Sequence, residues 1–365
     1  MVQGAGCGGR RTERRPAPGT PHPAPGPPPP APGPPHPAPC SICGKTPVTF
    51  VRYSGAHLCR EHFVDFVRRK VSRELRRQVR LPDGATVAVA VSGGKDSMVA
   101  LRILHDLLGP RRGIRLVAIT VDEGIRGYRP PALKVVARHC RETGIEHRVV
   151  SFREAFDLTM DSTRRCWGAA TPCTYCGVLR RHCLNRAARE MGADVLATGL
   201  NLDDTAQSIL MNICRGDVER LARLGPHERV REGLVRRIQP LRQVTDKESF
   251  LYATLMGYPV HHSVCPYAAD AMRNRFRELV ASLEDSSPGT RFCILNSHDA
   301  LRPSLEEMFP PARLERCPGC GEPSAEGHCA ACRLARALKR GAGCRVPGAG
   351  NDEGSGTGAR RRSAP

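Results

Sequence analysis

The chain has 365 residues, a formal net charge of +20, 17 cysteines, 32 prolines and only 4% aromatic residues. That length holds one or two domains with a true core, no apolar run approaches the length of a membrane span, and so basic a chain calls for a polyanionic partner. The Arg-rich ends carry part of the excess, but Arg164, Arg165, Arg180, Arg181, Arg186, Arg189, Arg236 and Arg237 lie well inside the chain, so a nucleic acid is the expected partner. The first residues carry no apolar leader, so the cysteines are expected in the reducing cytoplasm, as metal ligands or catalytic thiols and not as disulfides.

Residues 1–39 are mostly Pro, Gly, Ala and Arg and predict a disordered arm. Residues 40–80 then read as a small metal module with a basic helix. Cys40, Cys43, Cys59 and His62 form two closely spaced ligand pairs, the pattern of a closed tetrahedral zinc site. A helix from about Glu61 to Val79 puts Phe63, Phe66, Val67, Val71 and Leu75 on one face. Arg68, Arg69, Lys70, Arg73, Arg76 and Arg77 crowd the rest, either as a solvated surface or as an RNA-facing one.

Residues 81–285 read as the core domain. Val87 to Val91 is a buried strand, and Ser92-Gly93-Gly94-Lys95-Asp96-Ser97 is a tight loop opening a helix. Backbone N–H groups at such a turn form an anion site, and the two glycines let a phosphate come close. A Walker A loop would need Ser or Thr after the Lys, and here Asp96 follows Lys95. Further strands are expected over Arg115–Val121, Glu146–Ser151 and Ala193–Thr198, and helices over Pro131–Thr143, from Pro172 to about Met191, Asp246–Met256 and Ala271–Leu283. Strands alternating with helices predict an α/β fold with a parallel sheet covered on both faces. Ligands in such folds bind beyond the carboxyl ends of the strands. Ser92, Val121-Asp122 and Gly199 all fall at such ends. Ile238 to Leu241 reads as a short buried turn.

Cys173 and Cys176 form a C-x-x-C at a helix start, where the helix dipole and Arg180 and Arg181 favour thiolate. Zinc, a redox pair and a cluster all fit that spacing. Cys265 stands apart in a polar loop, His261 to Tyr267. Asn201-Leu202-Asp203-Asp204 follows a strand end, where Asn201 or Asp203 caps the next helix and the paired carboxylates suit Mg2+. Residues 286–316 read as a linker with a short helix. Residues 317–338 hold Cys317, Cys320, Cys329 and Cys332, two C-x-x-C pairs that make a four-cysteine zinc ribbon and leave His328 a bystander. Residues 339–365 predict a flexible basic tail.

The hexad Ser92 to Ser97 resembles the PP-loop of ATP pyrophosphatases, which transfer AMP to a substrate oxygen. The ordered series of zinc pair, PP-loop, Pro-Cys-Thr-Tyr-Cys, Ala-Thr-Gly-x-Asn-Leu-Asp-Asp, Cys-Pro-Tyr and terminal ribbon is similar to the tRNA 2-thiouridine synthetases with two zinc modules, over about Cys40 to Leu338. That resemblance looks strongest to the catalytic subunit family of the eukaryotic cytoplasmic tRNA 2-thiolation complex. It implies an adenine nucleotide alpha hydrolase-like domain and ATP with Mg2+ at Ser92 to Ser97, where Lys95 stabilises the phosphates. It implies thiolation of wobble uridine 34 in tRNAs for Lys, Glu and Gln, a thiocarboxylated ubiquitin-like sulfur carrier, and a paralogous non-catalytic partner subunit. Carried over by position, Cys173, Cys176 and Cys265 become ligands of a [4Fe–4S] cluster and Asp204 an active-site acid. Relatives often carry Lys four residues after the second Cys; Arg180 stands there and keeps the charge without acid–base capacity. A cysteine persulfide is the alternative sulfur route. Amidation or lysidine chemistry on tRNA, and a zinc RNA-binding scaffold without catalysis, are the rival readings.

Overall fold

The computed structural model of the chain describes residues 38–109, 113–167, 171–226, 231–268 and 272–340. The arm expected over 1–39 and the tail expected over 339–365 lie almost wholly outside the described residues. A hairpin of β1 (Thr49–Val51) and β2 (Ala56–Leu58) leads into α1 (Arg60–Gln78), which buries Phe63, Val67, Val71 and Leu75. There follow β3 (Thr86–Ala90), α2 (Lys95–Leu108), β4 (Arg115–Asp122), α3 (Arg129–Thr143), β5 (Glu146–Ser151), the short α4 (Phe152–Phe156), α5 (Pro172–Glu190) and β6 (Val195–Thr198). Next come α6 (Leu202–Cys214), the short α7 (Val218–Ala222), β7 (Arg236–Ile238), α8 (Asp246–Met256), α9 (Arg273–Ser286) and α10 (Thr290–Met308). A small hairpin of β8 (Glu315–Arg316) and β9 (Pro323–Ser324) precedes α11 (Ala330–Arg340).

The central sheet has five parallel strands in the order β5-β4-β3-β6-β7. From β3 the chain first winds one way, to β4 and β5, and then crosses back to β6 and β7. The crevice between β3 and β6 is therefore the topological switch point, where an open α/β sheet binds its ligand. β3 is apolar on both sides because both faces are covered. Ala88 joins the core under α5, with Tyr175, Leu179 and Cys183. Val87 and Val89 join Met98, Leu101 and Val136 under α2 and α3. Beyond α2 lies a third layer, in which Phe63, Val67 and Val71 of α1 meet Ile103 and Tyr252.

The structure departs from the sequence reading at three places. β7 is a fifth strand where a turn was expected from Ile238: its three residues include two arginines, and an edge strand paired on one side shows no apolar run. Residues 286–316 carry the 19-residue α10, which packs Leu295 against Leu202 and Ile209 of α6; Pro303 inside it masks the helix in the sequence. Lys70 is not on a basic outer face. It is enclosed, with Nζ 2.7 Å from Glu248 and 2.9 Å from the Tyr53 hydroxyl, while Arg68 pairs with Asp106 and Arg69 with Asp65. Most of the cationic face of α1 is thus spent on intramolecular partners.

α10 is fastened by Arg242, which donates two hydrogen bonds to Asp299 at 2.7 and 2.5 Å from a 3% exposed side chain. Burial raises the Asp299 carboxyl, but hydrogen bonds from Arg242 and His298 prevail and hold it far below its ordinary range. The resulting stability is complete above the unfolded carboxylate pKa and disappears as pH falls through the lowered one. Asp299→Asn is expected to cost about 3 kcal/mol at pH 7, and denaturant titrations of the two proteins should converge as the solution is acidified below the normal carboxylate range.

Candidate active site

α2 begins at Gly94, and no side chain caps it. Its first N–H groups therefore face the switch point unpaired within the helix. The loop is built from its own hydroxyls: the Ser97 hydroxyl donates to the Gly94 carbonyl at 2.8 Å and accepts from the Ser92 N–H at 3.1 Å. Gly93 has φ +88°, and a Cβ there would meet Ala132 at 3.0 Å. Gly199, at the end of β6, has no room for a side chain either. An added Cβ would lie 2.8 Å from the backbone of Ser97. The close approach of these two elements sets the depth of the anion site.

Lys95 reaches into this site and pairs with Asp96 at 2.8 Å and Asp246 at 2.5 Å. Burial lowers its pKa, but the two carboxylates prevail and hold it above the usual range. Asn201 donates to both carboxylates, at 3.2 and 3.3 Å, and also caps α6 through a capping box with Asp204. Asp204 pairs with Arg273 at 3.3 Å; burial pushes its carboxyl up against that pull. Asp203 is committed elsewhere, accepting from the Asp246 N–H at 2.8 Å and pairing with Arg291 at 2.6 Å. Asp96 and Asp246 are the carboxylates that flank the loop, and a pair of that kind suits Mg2+ held jointly with phosphates. Asp122 closes its own turn by accepting from the Gly124 N–H at 2.8 Å, and Val121 is buried beside it in β4.

The thiols stand at the same rim. Cys173 and Cys176 occupy the first turn of α5, Cys173 exposed and Cys176 buried. The segment carrying Cys265 is pinned above them: the His261 N–H donates to the Gly93 carbonyl at 2.8 Å, and the Tyr267 hydroxyl to Asp161 at 2.6 Å. Cys173 Sγ lies 3.8 Å from the Tyr267 carbonyl. Cys265 and Tyr267 pack against the core cluster that contains Cys176, so the three thiols lie in one region. Their sulfurs do not converge as around one ion. Among the described residues, the groups whose ligand atoms all lie within 4.8 Å are Cys40-Cys43-Cys59-His62 and Cys317-Cys320-Cys329-Cys332. A wider set of three thiolates suits a polynuclear iron–sulfur group, so the donor set fits one. The expected thiolate character of the C-x-x-C is overturned for the free thiols. Burial pushes Cys176 up to about 11 and also raises Cys173, and Arg180, 3.2 Å from Cys176 Sγ, does not compensate.

In both compact groups the contacts are close to the roughly 3.8 Å between ligands of a tetrahedral zinc with 2.3 Å bonds. Cys43 and Cys59 Sγ are 3.8 Å apart, and Cys320 and Cys329 Sγ 3.6 Å. Against burial, backbone N–H groups of Cys59, Ile42 and Cys43 draw Cys40 down to about 5. Neither group keeps an open position. Sequence reasoning missed Asp246, legible only as a helix start, and Glu123 and Arg129, which link the loop to the thiols.

The chain matches the PP-loop domain family over residues 67–283 and the N-terminal LIM domain of the 2-thiouridine synthetase TtuA over 40–64. It therefore belongs to the PP-loop family. It is 37% identical over 317 residues to the tRNA 2-thiolation protein NcsA of Haloferax volcanii, covering 82% of this chain and 99% of that one. It is also 37% identical over 309 residues to the cytoplasmic tRNA 2-thiolation protein 1 of Bos taurus, covering 83% and 88%. The U34-tRNA thiolase NcsA of Methanococcus maripaludis, solved with its [4Fe-4S] cluster, superposes with a TM-score of 0.67 at 35% identity, over 73% of this chain and 88% of that one. Within the PP-loop enzymes, the chain is a member of the tRNA 2-thiolation protein family.

Gly199→Ala would force the end of β6 off the first turn of α2. Overpacking of this kind costs about 1–3 kcal/mol, so calorimetry should find ATP binding weakened by about 5- to 150-fold in a chain that still folds.

Proposed function

We propose that the chain transfers AMP from ATP to the C2 oxygen of a tRNA uridine and then replaces that oxygen with sulfur. The observation that carries this reading is the meeting, at one rim of the sheet, of an uncapped helix N-terminus with Lys95, the C-x-x-C of α5 and the Cys265 segment, which is tied to the loop by His261. Phosphate oxygens would take the N–H groups of α2 and draw the Lys95 ammonium from Asp246, which frees Asp96 and Asp246 to hold Mg2+. The uridine oxygen attacks the α-phosphorus and pyrophosphate leaves; sulfide-level sulfur, freed when water cleaves the carrier's acyl C–S bond and the carrier leaves as its carboxylate, then adds at C2 through its lone pair, and AMP departs with the oxygen. A [4Fe–4S] cluster held by Cys173, Cys176 and Cys265 would supply an iron position without a protein ligand for the incoming sulfur. The likeness to a U34-tRNA thiolase solved with its [4Fe-4S] cluster supports this over a free persulfide route.

The wobble uridine, position 34, of tRNAs for Lys, Glu and Gln is the target in this reading, supported by the U34 thiolase to which the chain is similar. An arginine-lined cleft beside the start of β7 suits a stretch of tRNA backbone away from the rim. Arg223, Arg231, Arg236 and Arg237 line a cleft of about 780 Å³, and burial together with the neighbouring Arg181 guanidinium holds Arg237 down to about 10. The sulfur donor is a thiocarboxylated ubiquitin-like carrier, a paralogous subunit completes the complex, and the setting is the cytoplasm. Among the described residues no helix is long and apolar enough to cross a membrane. The two four-ligand groups hold structural Zn2+ in modules over 40–80 and 317–338, flanking the catalytic domain at 81–285.

Metal analysis of the chain purified without oxygen should give two zinc together with iron and acid-labile sulfide. Cys176→Ala should lose the iron and abolish thiolation while tRNA binding in a gel-shift assay is kept. Thiolation persisting at the wild-type rate in Cys176→Ala would overturn the sulfur assignment; zinc without iron in an active wild-type chain would move the sulfur to a cysteine.

A further inference from the structure

Between the two halves of the site lies a carboxylate that neither half uses. Glu123 is fully enclosed, at 0% exposure. One side of it pairs with Arg129 Nε at 2.5 Å, and the other with Arg180 Nη2 at 2.8 Å. Arg129 is itself 2% exposed, and its Nη1 donates to the Ser92 carbonyl at 3.0 Å, in the phosphate loop. Arg180 is partly open to solvent, and its Nη2 donates to Cys176 Sγ at 3.2 Å. One polar line thus runs from the Ser92 carbonyl through Arg129, Glu123 and Arg180 to the Cys176 sulfur.

The backbone at Glu123 is as tightly held as its side chain. Its carbonyl accepts from the Met160 N–H at 2.8 Å. The next residue, Gly124, has φ +67°, and a Cβ there would come within 2.5 Å of Thr159. Just past the end of β4, the backbone on both sides of the Glu123 side chain is therefore fixed. Stability alone is a poor account of this arrangement, because a buried carboxylate between guanidiniums is seldom better than well-packed apolar residues. The count of charges is also unbalanced: one carboxylate faces two guanidiniums, and the uncompensated positive charge lies at the end that touches sulfur.

We propose that Glu123 is a positioning residue that fixes Arg180 at the sulfur end against Arg129 at the phosphate loop. A single rigid line then sets the distance between the adenylating and the sulfur-delivering halves of the site. This rests on the adenylation and sulfur-replacement reading given above. Both halves must reach the same uridine C2 within one bound complex, and a misplacement of about 1 Å can cost about 100-fold in rate.

The test uses the full chain purified without oxygen, with tRNA transcript, ATP, Mg2+ and inorganic sulfide as the sulfur source. ATP affinity, pyrophosphate release, thiolated product and thermal midpoint are measured for the wild type, Glu123→Gln and Glu123→Asp. In Glu123→Gln the remaining oxygen stays with the enclosed Arg129, and the amide repels the more open Arg180. ATP affinity and pyrophosphate release should stay within about threefold, and thiolation kcat should fall about 100-fold with KM for tRNA little changed, so that ATP is consumed without product. Glu123→Asp keeps the charge but is too short to reach both partners, and should show the same split. Should Glu123→Gln not fold, Arg180→Gln removes the charge that Glu123 holds beside the Cys176 sulfur and should again separate pyrophosphate release from thiolation. Thiolation near the wild-type rate in a folded Glu123→Gln overturns the proposal. So does recovery of thiolation by Asp, or a loss of both half-reactions that follows the thermal midpoint. A wild-type chain that releases no pyrophosphate with tRNA would instead overturn the functional reading beneath it.

Discussion

The first N–H groups of α2 are left without a cap, and much of the molecule is arranged to keep them so. A helix start inside a protein is ordinarily closed by a side-chain oxygen or by water. Here Gly94 occupies the cap position, the neighbouring hydroxyls bond within the loop, and the backbone beyond β6 closes in at Gly199 with no side chain to intrude. Lys95 is kept in place by carboxylates until an anion arrives. The parallel sheet matters because it brings β3 and β6 side by side with their carboxyl ends at one rim.

The two modules with four-ligand groups brace different ends of this rim. At the N-terminal one, Tyr53 and Lys70 meet Glu248, whose other contacts close the capping box of α8. Two residues before Glu248 stands Asp246, the partner of Lys95, so that module supports the phosphate end. At the C-terminal one, Glu322 pairs with Arg189 at 2.7 Å and accepts from Asn185 at 2.9 Å, while Cys317 and Cys329 join the core beneath α5. That module supports the helix that carries Cys173 and Cys176. Two small modules, neither large enough to stand on a core of its own, thus each pack against one side of the rim, one towards the Lys95 partner Asp246 and one beneath α5.

Much of this was legible in the sequence, for physical reasons. Val87 to Ser97 announced itself because a buried parallel strand and a glycine loop leave strong local marks, and both ligand sets were readable because tetrahedral coordination dictates short spacings. β7 was hidden, since Arg236-Arg237-Ile238 has no pattern of its own and is a strand only through β6. Lys70 was misplaced because helical periodicity tells which face an amino acid occupies but not whether an acid waits opposite. Glu123 looked like the end of a strand. Its partners, Arg129 and Arg180, come from two different helices, and no local rule pairs them. The thiols were read from the helix dipole, whereas their burial, a tertiary property, prevails.

The partnership between α1 and α8 also constrains how the chain is made. Lys70 and Glu248 are 178 positions apart, and Arg52 and Asp285 are 233 apart. At a synthesis rate of about 5–20 residues per second, α1 waits on the order of 10 s or more for α8 to be made. Over that interval α2 can cover one flank of Phe63, Val67 and Val71, but the flank owed to Leu241, Val244 and Tyr252 stays bare. The arginines that crowd α1 then serve the nascent chain as gatekeepers, keeping a waiting apolar face from finding another copy of itself. The nucleotide end of the enzyme, whose Lys95 depends on that late helix, is completed only when most of the polypeptide has been made.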